Sequence, residues 1–433
     1  MLDLKGWLAR VWTSSMVRNT GWMTFGQRGN FFLQAGYFLL LARLLRATEY
    51  GIFAGAFALV NAVTPYSSLG SPMLFMRYVS VDRDLAQPYW RFILAATVAA
   101  SIVIAAILAV IGGKVLDQGS IGLIVVLVAA NCCMSQVVKS ASVVFQTFEQ
   151  LKITAWLRAT SDLLHLLAIA GLMICLYRAS AFQCSLGIIA SSTVGAVVSI
   201  ILIRNPIRGT CVSAKLLRLR FWEGIGLSVA GSTQAIYNDV DKIMLGHYGM
   251  NAANGIYTMA YKVVDFATTP VSAIDAALLP RFFALNRRGL APVRRMTSRI
   301  IPIATMADLA AVGFTLLASP ILLRMAGHGF ANAMLAIRWL CWLPALRGIH
   351  QLAACALTAT GRQNYRTVAQ LVVAALNFAL NFMWIPTHGW LGAARASLIS
   401  DGALGLLNLS LVFLIFSCAN HSFGTNPYKE QAK

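Results

Sequence analysis

The sequence is poor in charged residues, and above all in acidic ones. Only 12% of its 433 residues are charged, and 15 Asp and Glu stand against 35 Lys and Arg. Soluble domains carry about 25% charged residues, so this chain has too little polar surface for a water-soluble globule. Its 58% of hydrophobic residues and mean hydropathy of +0.69 instead predict an integral membrane protein.

Several motifs that would indicate a cofactor or an enzyme are also missing. The eight cysteines form no CxxC pair and have no His at ligand spacing, which argues against a metal site and a disulfide framework. No G-x-x-x-x-G-K-[ST] loop is present, which argues against ATP hydrolysis. We therefore expect no bound cofactor. The basic excess is expected on the cytoplasmic side of a membrane, so nucleic acid is not an expected partner.

Apolar runs bounded by charge, Gly or Pro predict about twelve membrane-spanning helices, since a span needs about 20 mostly apolar residues. The predicted spans are 20–42, 50–76, 92–112, 121–147, 154–176, 185–203, 223–246, 253–280, 300–323, 333–360, 367–385 and 390–418. The expected fold is an all-α polytopic membrane protein with two pseudo-symmetric six-helix bundles around a central cavity.

Loop charge supports this count and gives it an orientation. With both termini in the cytoplasm, 22 Lys and Arg fall on the cytoplasmic side and five on the outside. A missing or extra helix would scramble this alternation. The predicted segments are a cytosolic interfacial segment (1–19), a first bundle (20–203), a basic cytosolic linker (204–222), a second bundle (223–418) and a cytosolic tail (419–433).

An internal repeat supports the division into halves. A shift of 204 positions aligns TEYGIFAGAFALV from Thr48 with AANGIYTMAYKVV from Ala252, so that Gly51 matches Gly255. Both halves begin on the cytoplasmic side, so the repeat is parallel. Repeated halves of this kind are typical of secondary transporters that bind their substrate near the midplane.

Three segments carry a resemblance to a known family. They are LARLLRATEYGIFAGAFALV (41–60), NDVDKIMLGHYGMNAANGIYTMAYKVVDFATTPVSAIDAALLPRFFALN (238–286) and GRQNYRTVAQLVVAALNFALNFMWIPTHGWLGAARASLIS (361–400). They resemble Wzx-type oligosaccharide flippases of the multidrug/oligosaccharidyl-lipid/polysaccharide exporter superfamily. The resemblance implies movement of a polyprenyl-pyrophosphate-linked oligosaccharide to the outer leaflet of the bacterial cytoplasmic membrane. It also implies membrane lipids and a polysaccharide polymerase with chain-length machinery as partners.

Basic residues within the spans suggest where such a headgroup would bind. A charge inside the membrane costs about 2.5–3.5 kcal/mol or more, so it is expected to face a cavity or a partner. Pyrophosphate is strongly anionic and suits the planar fork of Arg. The predicted headgroup ligands are Arg28, Lys139, Arg347, Arg395, Lys262 and Gln34.

Acidic residues within the spans are the candidates for coupling to a proton or sodium gradient. A buried Asp can alternate between its protonated and charged states. The candidates are Asp265, Asp401, Asp308 and Asp239. Two of these acids have a basic residue three positions away, Asp239 with Lys242 and Asp265 with Lys262, and such pairs share a helix face.

Two other functions remain open. A cation-coupled antiporter for organic cations, from the same superfamily, should present acidic side chains to its cargo, and the eight basic residues within spans argue against it. A polysaccharide polymerase or ligase should carry a sizeable outside loop with catalytic residues. The predicted outside loops are short, so we expect a transporter and not an enzyme.

Overall fold

The computed structural model describes residues 15–116, 118–176, 178–204, 221–286 and 289–421. These ranges are helical with short connections and contain no strand. Backbone polar groups inside a bilayer must be satisfied within the chain itself, and a helix achieves this within each span. The chain forms two compact units, unit 1 (residues 1–255) and unit 2 (residues 256–433).

Unit 1 contains seven complete helices and the long, broken α1. Their bounds are α1 Ser15–Val63, α2 Ser71–Val79, α3 Ala86–Val115, α4 Ile121–Val128, α5 Ser135–Thr147, α6 Leu151–Cys175, α7 Ala181–Ile203 and α8 Phe221–His247. Arg46 breaks α1 with a left-handed φ of 59°. A π-helical turn, Ala129–Met134, joins α4 to α5. The break divides α1 between the predicted spans 20–42 and 50–76, whereas α4, the π-helical turn and α5 together form the predicted span 121–147.

Unit 2 contains the remaining helices. Their bounds are α9 Asn251–Asn286, which begins in the last residues of unit 1, α10 Leu290–Ala326, α11 Ala333–Leu340, α12 Leu343–Ala359, α13 Gln363–His388 and α14 Trp390–His421. Pro344 lies in the first turn of α12, where its missing N–H costs nothing.

Nine segments of the described chain are long and apolar enough to cross a membrane. The first, Asn30–Val79, contains the break in α1 and covers two predicted spans. The more polar α8 and α9 lie at the predicted spans 223–246 and 253–280. Each of the twelve predicted spans therefore has a helical counterpart, and the prediction of an all-α polytopic membrane protein is confirmed.

Each unit has its own apolar core. The core of unit 1 includes Phe75, Tyr89 and Phe145, and that of unit 2 includes Phe282 and Leu352. Large apolar side chains are also exposed along the helices, as expected for surfaces that face lipid tails: Ile102, Val110, Phe314, Leu317 and Phe413.

The predicted boundary between the bundles stays a prediction. Residues 205–220, most of the predicted linker, lie outside the described residues, as do 1–14 and 422–433. Within unit 1, α8 packs against α1 and α2.

The first turn of α9 meets α1 in a reciprocal backbone contact. A β-carbon on Gly51 would overlap the carbonyl oxygen of Asn251, and one on Gly255 would overlap the carbonyl oxygen of Ala47. Only glycine permits so close an approach. Ala47 and Asn251 are 204 positions apart, as are Gly51 and Gly255. The contact therefore pairs positions that the predicted repeat aligns.

Candidate functional site

Charged side chains from three helices meet in unit 2 around Arg347. Nε of Arg347, on α12, donates to Oδ2 of Asp401 on α14 at 3.0 Å, and Nη1 donates to Oδ1 of Asp265 on α9 at 3.3 Å. Nη2 donates to the hydroxyl of Tyr261, and Cζ lies 5.0 Å from the centre of the Tyr261 ring. We call these four residues the Arg347 cluster.

The two carboxylates of the Arg347 cluster differ in exposure. The side chain of Asp401 is 3% exposed, that of Asp265 is 38% exposed, and that of Arg347 is 20% exposed. One guanidinium contacts two carboxylates, so the three groups carry a net charge of −1 when all are ionised. Because a buried charge is costly without its partner, Asp401 is the firm anchor of Arg347. Asp265 contacts the guanidinium on the side that is more accessible to solvent, called the accessible edge below.

Two further ionisable residues adjoin the cluster. Nε2 of His350, one turn after Arg347, lies 4.0 Å from Oδ1 of Asp401. Asp308, on α10, is buried against Gly348, where a β-carbon would overlap its carboxylate. A glycine at position 348 is therefore required for α10 and α12 to approach each other with the Asp308 side chain between them.

A second polar group lies in unit 1 around Asp162 on α6. Its Oδ2 accepts a hydrogen bond from Nε2 of Gln34 on α1 at 3.2 Å. The charges of Arg158 and Lys139 also attract the Asp162 carboxylate. Gln34, a predicted headgroup ligand, thus contacts the Asp162 carboxylate directly, and Lys139, another, lies within range of its charge. We call these four residues the Asp162 cluster.

A third group lies on α8 and is also part of unit 1. Nζ of Lys242 lies 2.7 Å from Oδ1 of Asp239 and 3.7 Å from Oδ1 of Asp241, so the pair expected from their spacing of three is formed. Nδ2 of Asn61, on α1, donates to Oδ2 of Asp239 at 2.7 Å. Nδ2 of Asn254 donates to the backbone carbonyl of Lys242 at 3.0 Å. Asp239, a predicted coupling residue, is therefore held by a cation and an amide.

The other predicted ligands have different surroundings. Cζ of Arg395, on α14, lies 5.5 Å from the centre of the Trp339 ring, a cation–π contact. Lys262 is half-buried on α9. Arg28 lies in α1, and its side chain is outside the described residues.

Several residues that the structure places in these groups were not among the predicted ligands and coupling residues, and Tyr261, Asp162 and Asn61 are examples. Tyr261 precedes Asp265 by four positions, and this spacing on one helix face could have indicated it. Asp162 lies within the predicted span 154–176, and the cost of a charge there could have indicated it. Asn61 and Asp239 are 178 positions apart, and no local pattern indicates their contact.

The fold is similar to those of several solved transporters. It matches the inward-facing conformation of a multidrug resistance MATE family transporter of the MOP superfamily with a TM-score of 0.75 and 12% identity, over 91% of this chain and 96% of that one. It matches the outward-facing conformation of such a transporter with a TM-score of 0.61 and 12% identity, over 94% and 96%. It matches MATE in the straight conformation with a TM-score of 0.62 and 13% identity, over 94% and 97%.

Identities this low define the fold alone. The protein is a multi-pass membrane protein whose fold is like that of the solved MATE family transporters, and it carries charged clusters within its spans. No curated protein matches the sequence. A family model described as polysaccharide biosynthesis protein matches residues 16–286, more than half of the chain. The chain belongs to this polysaccharide biosynthesis protein family.

Proposed function

We propose that the protein is a flippase that moves a polyprenyl-pyrophosphate-linked oligosaccharide from the cytoplasmic to the outer leaflet by alternating access. The cargo would be a repeat unit of an O-antigen, a capsule or an exopolysaccharide. Membership of the polysaccharide biosynthesis protein family supports the substrate class, and the transporter fold supports the type of activity.

The observation that carries the proposal is a guanidinium within the spans whose contact with Asp265 lies on a side that is open to solvent, with Arg347 20% and Asp265 38% exposed. Arg347 is fixed by Asp401 through Nε at 3.0 Å, so its remaining donors are held in a defined direction. A planar fork held in this way suits the oxygens of a pyrophosphate. The apolar polyprenyl tail would meanwhile stay in the bilayer.

The other predicted ligands extend this proposal. Arg28, Arg395 and Lys262 would supply further positive charge along the path of the headgroup, and Lys139 with Gln34 would do so from the Asp162 cluster. Lys139 lies at an exposed position of α5, which is compatible with contact to a passing anion.

Energy would come from the proton or sodium gradient and from the membrane potential. The proposed coupling carboxylates are Asp265, Asp401, Asp308 and Asp239, and Asp265 is the one of the Arg347 cluster that an ion reaches most easily. A potential that is negative inside also favours outward movement of an anion, by about 2.3 kcal/mol per charge and 100 mV.

An organic-cation antiporter is the second candidate. It is supported by the net negative charge of the Arg347 cluster and by the MATE fold. A polysaccharide polymerase or ligase is a weaker candidate, because the connections between helices in the described ranges are short. The flippase proposal places the protein in the bacterial cytoplasmic membrane, with both termini in the cytoplasm. It would act there beside a polysaccharide polymerase and chain-length machinery.

A deletion strain tests the proposed function. We expect the strain to accumulate lipid-linked sugar units on the cytoplasmic leaflet, and we expect expression of the wild-type chain to relieve this accumulation. Arg347→Gln should fail to relieve it at equal protein level, whereas Arg362→Gln, at an exposed position outside the spans, should succeed. Loss of resistance to cationic drugs without any glycan defect would favour the antiporter instead.

A further inference from the structure

Arg347 binds its two carboxylates in unequal ways. Asp401 lies 3.0 Å from Nε, and its side chain is 3% exposed. Asp265 lies 3.3 Å from Nη1, and its side chain is 38% exposed. The contact to Asp265 is longer and more open to solvent, and exposed ion pairs are weaker than buried ones. Of the two, Asp265 is therefore the partner that a competing anion displaces more readily.

The contacts also divide the guanidinium into two edges. Asp401 holds Nε, while Asp265 and the hydroxyl of Tyr261 hold Nη1 and Nη2. A phosphate group commonly binds two nitrogens of one guanidinium edge. The edge defined by Nη1 and Nη2 can accept two phosphate oxygens once Asp265 and the Tyr261 hydroxyl release it, and this requires no change at Asp401.

We propose that the Asp265 carboxylate binds Arg347 in place of the substrate's pyrophosphate while no substrate is bound. This carboxylate occupies Nη1 of Arg347 until the headgroup arrives. The headgroup then displaces Asp265 from Nη1 and the Tyr261 hydroxyl from Nη2, while Asp401 keeps Nε. This inference rests on the proposed function, since it takes the headgroup to bind at Arg347.

A carboxylate in this place has two physical consequences. Within the spans, a guanidinium with an unoccupied edge is costly, and the carboxylate of Asp265 lowers this cost. A transported group must also leave its site, and a competing internal anion weakens the bound state so that release is faster. Asp265 would therefore set the affinity for the headgroup as well as the stability of the site before binding.

The two carboxylates of one Arg should then respond in opposite directions to the same isosteric change. The probe is a polyprenyl pyrophosphate without sugar, and its affinity and release rate are measured on the full chain in nanodiscs. Asp265→Asn removes the competitor and should bind the probe about tenfold more tightly, with slower release. Asp401→Asn removes the anchor and should bind it about tenfold more weakly.

Two further variants control for charge and shape. Asp84→Asn removes one negative charge from an exposed turn ahead of the predicted span 92–112 and should leave the affinity unchanged. Asp265→Glu keeps a competing carboxylate and should stay near the wild-type affinity. If Asp401→Asn does not fold, the affinities of Asp265→Asn, wild type and Asp84→Asn still show whether Asp265 competes with the probe for Arg347.

The proposal is wrong if wild type binds the probe and Asp265→Asn binds it with equal or lower affinity. Absence of any binding to folded wild-type protein would instead overturn the proposed function, and the role of Asp265 with it. Tighter binding by Asp84→Asn and Asp265→Asn alike would indicate a general charge effect and would also overturn the proposal.

Discussion

The contact between Arg347 and Asp401 should contribute more to stability than any exposed ion pair of this chain. The two groups meet at 3.0 Å, and Asp401 is 3% exposed. Removal of one partner from a buried pair costs about 3–5 kcal/mol, because the other charge stays buried without it. We expect a loss of this size in the free energy of unfolding for Arg347→Gln and for Asp401→Asn.

A double-mutant cycle separates the pair from its surroundings. The double variant Arg347→Gln/Asp401→Asn leaves no charge of this pair behind, so it should lose little more than either single variant. The coupling energy should then be about 2–4 kcal/mol. The same cycle with Asp265→Asn should give about 1 kcal/mol or less, because Asp265 is more than a third exposed.

Equilibrium unfolding of the purified chain in mixed micelles, followed by tryptophan fluorescence, measures these values. If the two single variants lose stabilities whose sum equals the loss of the double variant within about 0.5 kcal/mol, the pair is not coupled. A coupling to Asp265 as large as that to Asp401 would contradict the assignment of anchor and accessible edge.

Two further predictions concern unit 1. Gly51→Ala should lower the free energy of unfolding by about 1–3 kcal/mol, because its β-carbon would overlap a backbone carbonyl. Gly171→Ala, which has open space around it, is the matched control, and equal melting midpoints for both would refute the close contact. Lys242→Met removes the buried cation beside two carboxylates and should cost about 3–5 kcal/mol. Arg77→Gln removes a pair whose Arg side chain is 67% exposed and should cost about 1 kcal/mol or less. Equal losses for the last two would contradict the burial of the Lys242 pairs.

The helices could be predicted from the sequence because the membrane imposes a length and an apolar composition on each span. The break in α1 agrees with this reasoning, since Arg46 lies between two predicted spans. α8 and α9 were harder to predict, because both carry charged residues whose partners lie elsewhere in the fold. Orientation in the membrane stays a prediction from loop charge.

The candidate site could be predicted in its parts but not in its arrangement. Arg347, Asp265 and Asp401 were each selected because charge within a span is costly. They were assigned to different tasks, however, and the structure places them in direct contact. Arg347 and Asp401 are 54 positions apart and Arg347 and Asp265 are 82 apart. Helix packing creates these contacts, and no local spacing encodes them.

The repeat shows a similar limit. The shared offset of 204 positions predicted that Gly51 and Gly255 occupy equivalent places in the two halves. It did not predict that they touch each other, as they do where α1 meets the first turn of α9. Contact between aligned residues depends on how the helices pack, which sequence similarity alone does not fix.

Reconstituted transport tests the central claim most directly. The purified chain is inserted into proteoliposomes that contain a fluorescent polyprenyl-pyrophosphate-linked oligosaccharide, and its appearance in the opposite leaflet is followed by an impermeant quencher. We predict movement by wild type, and movement slower by about tenfold or more for Arg347→Gln because it loses the guanidinium that binds the headgroup. A wild-type chain that transports an organic cation but leaves the lipid-linked oligosaccharide in its original leaflet would contradict the claim.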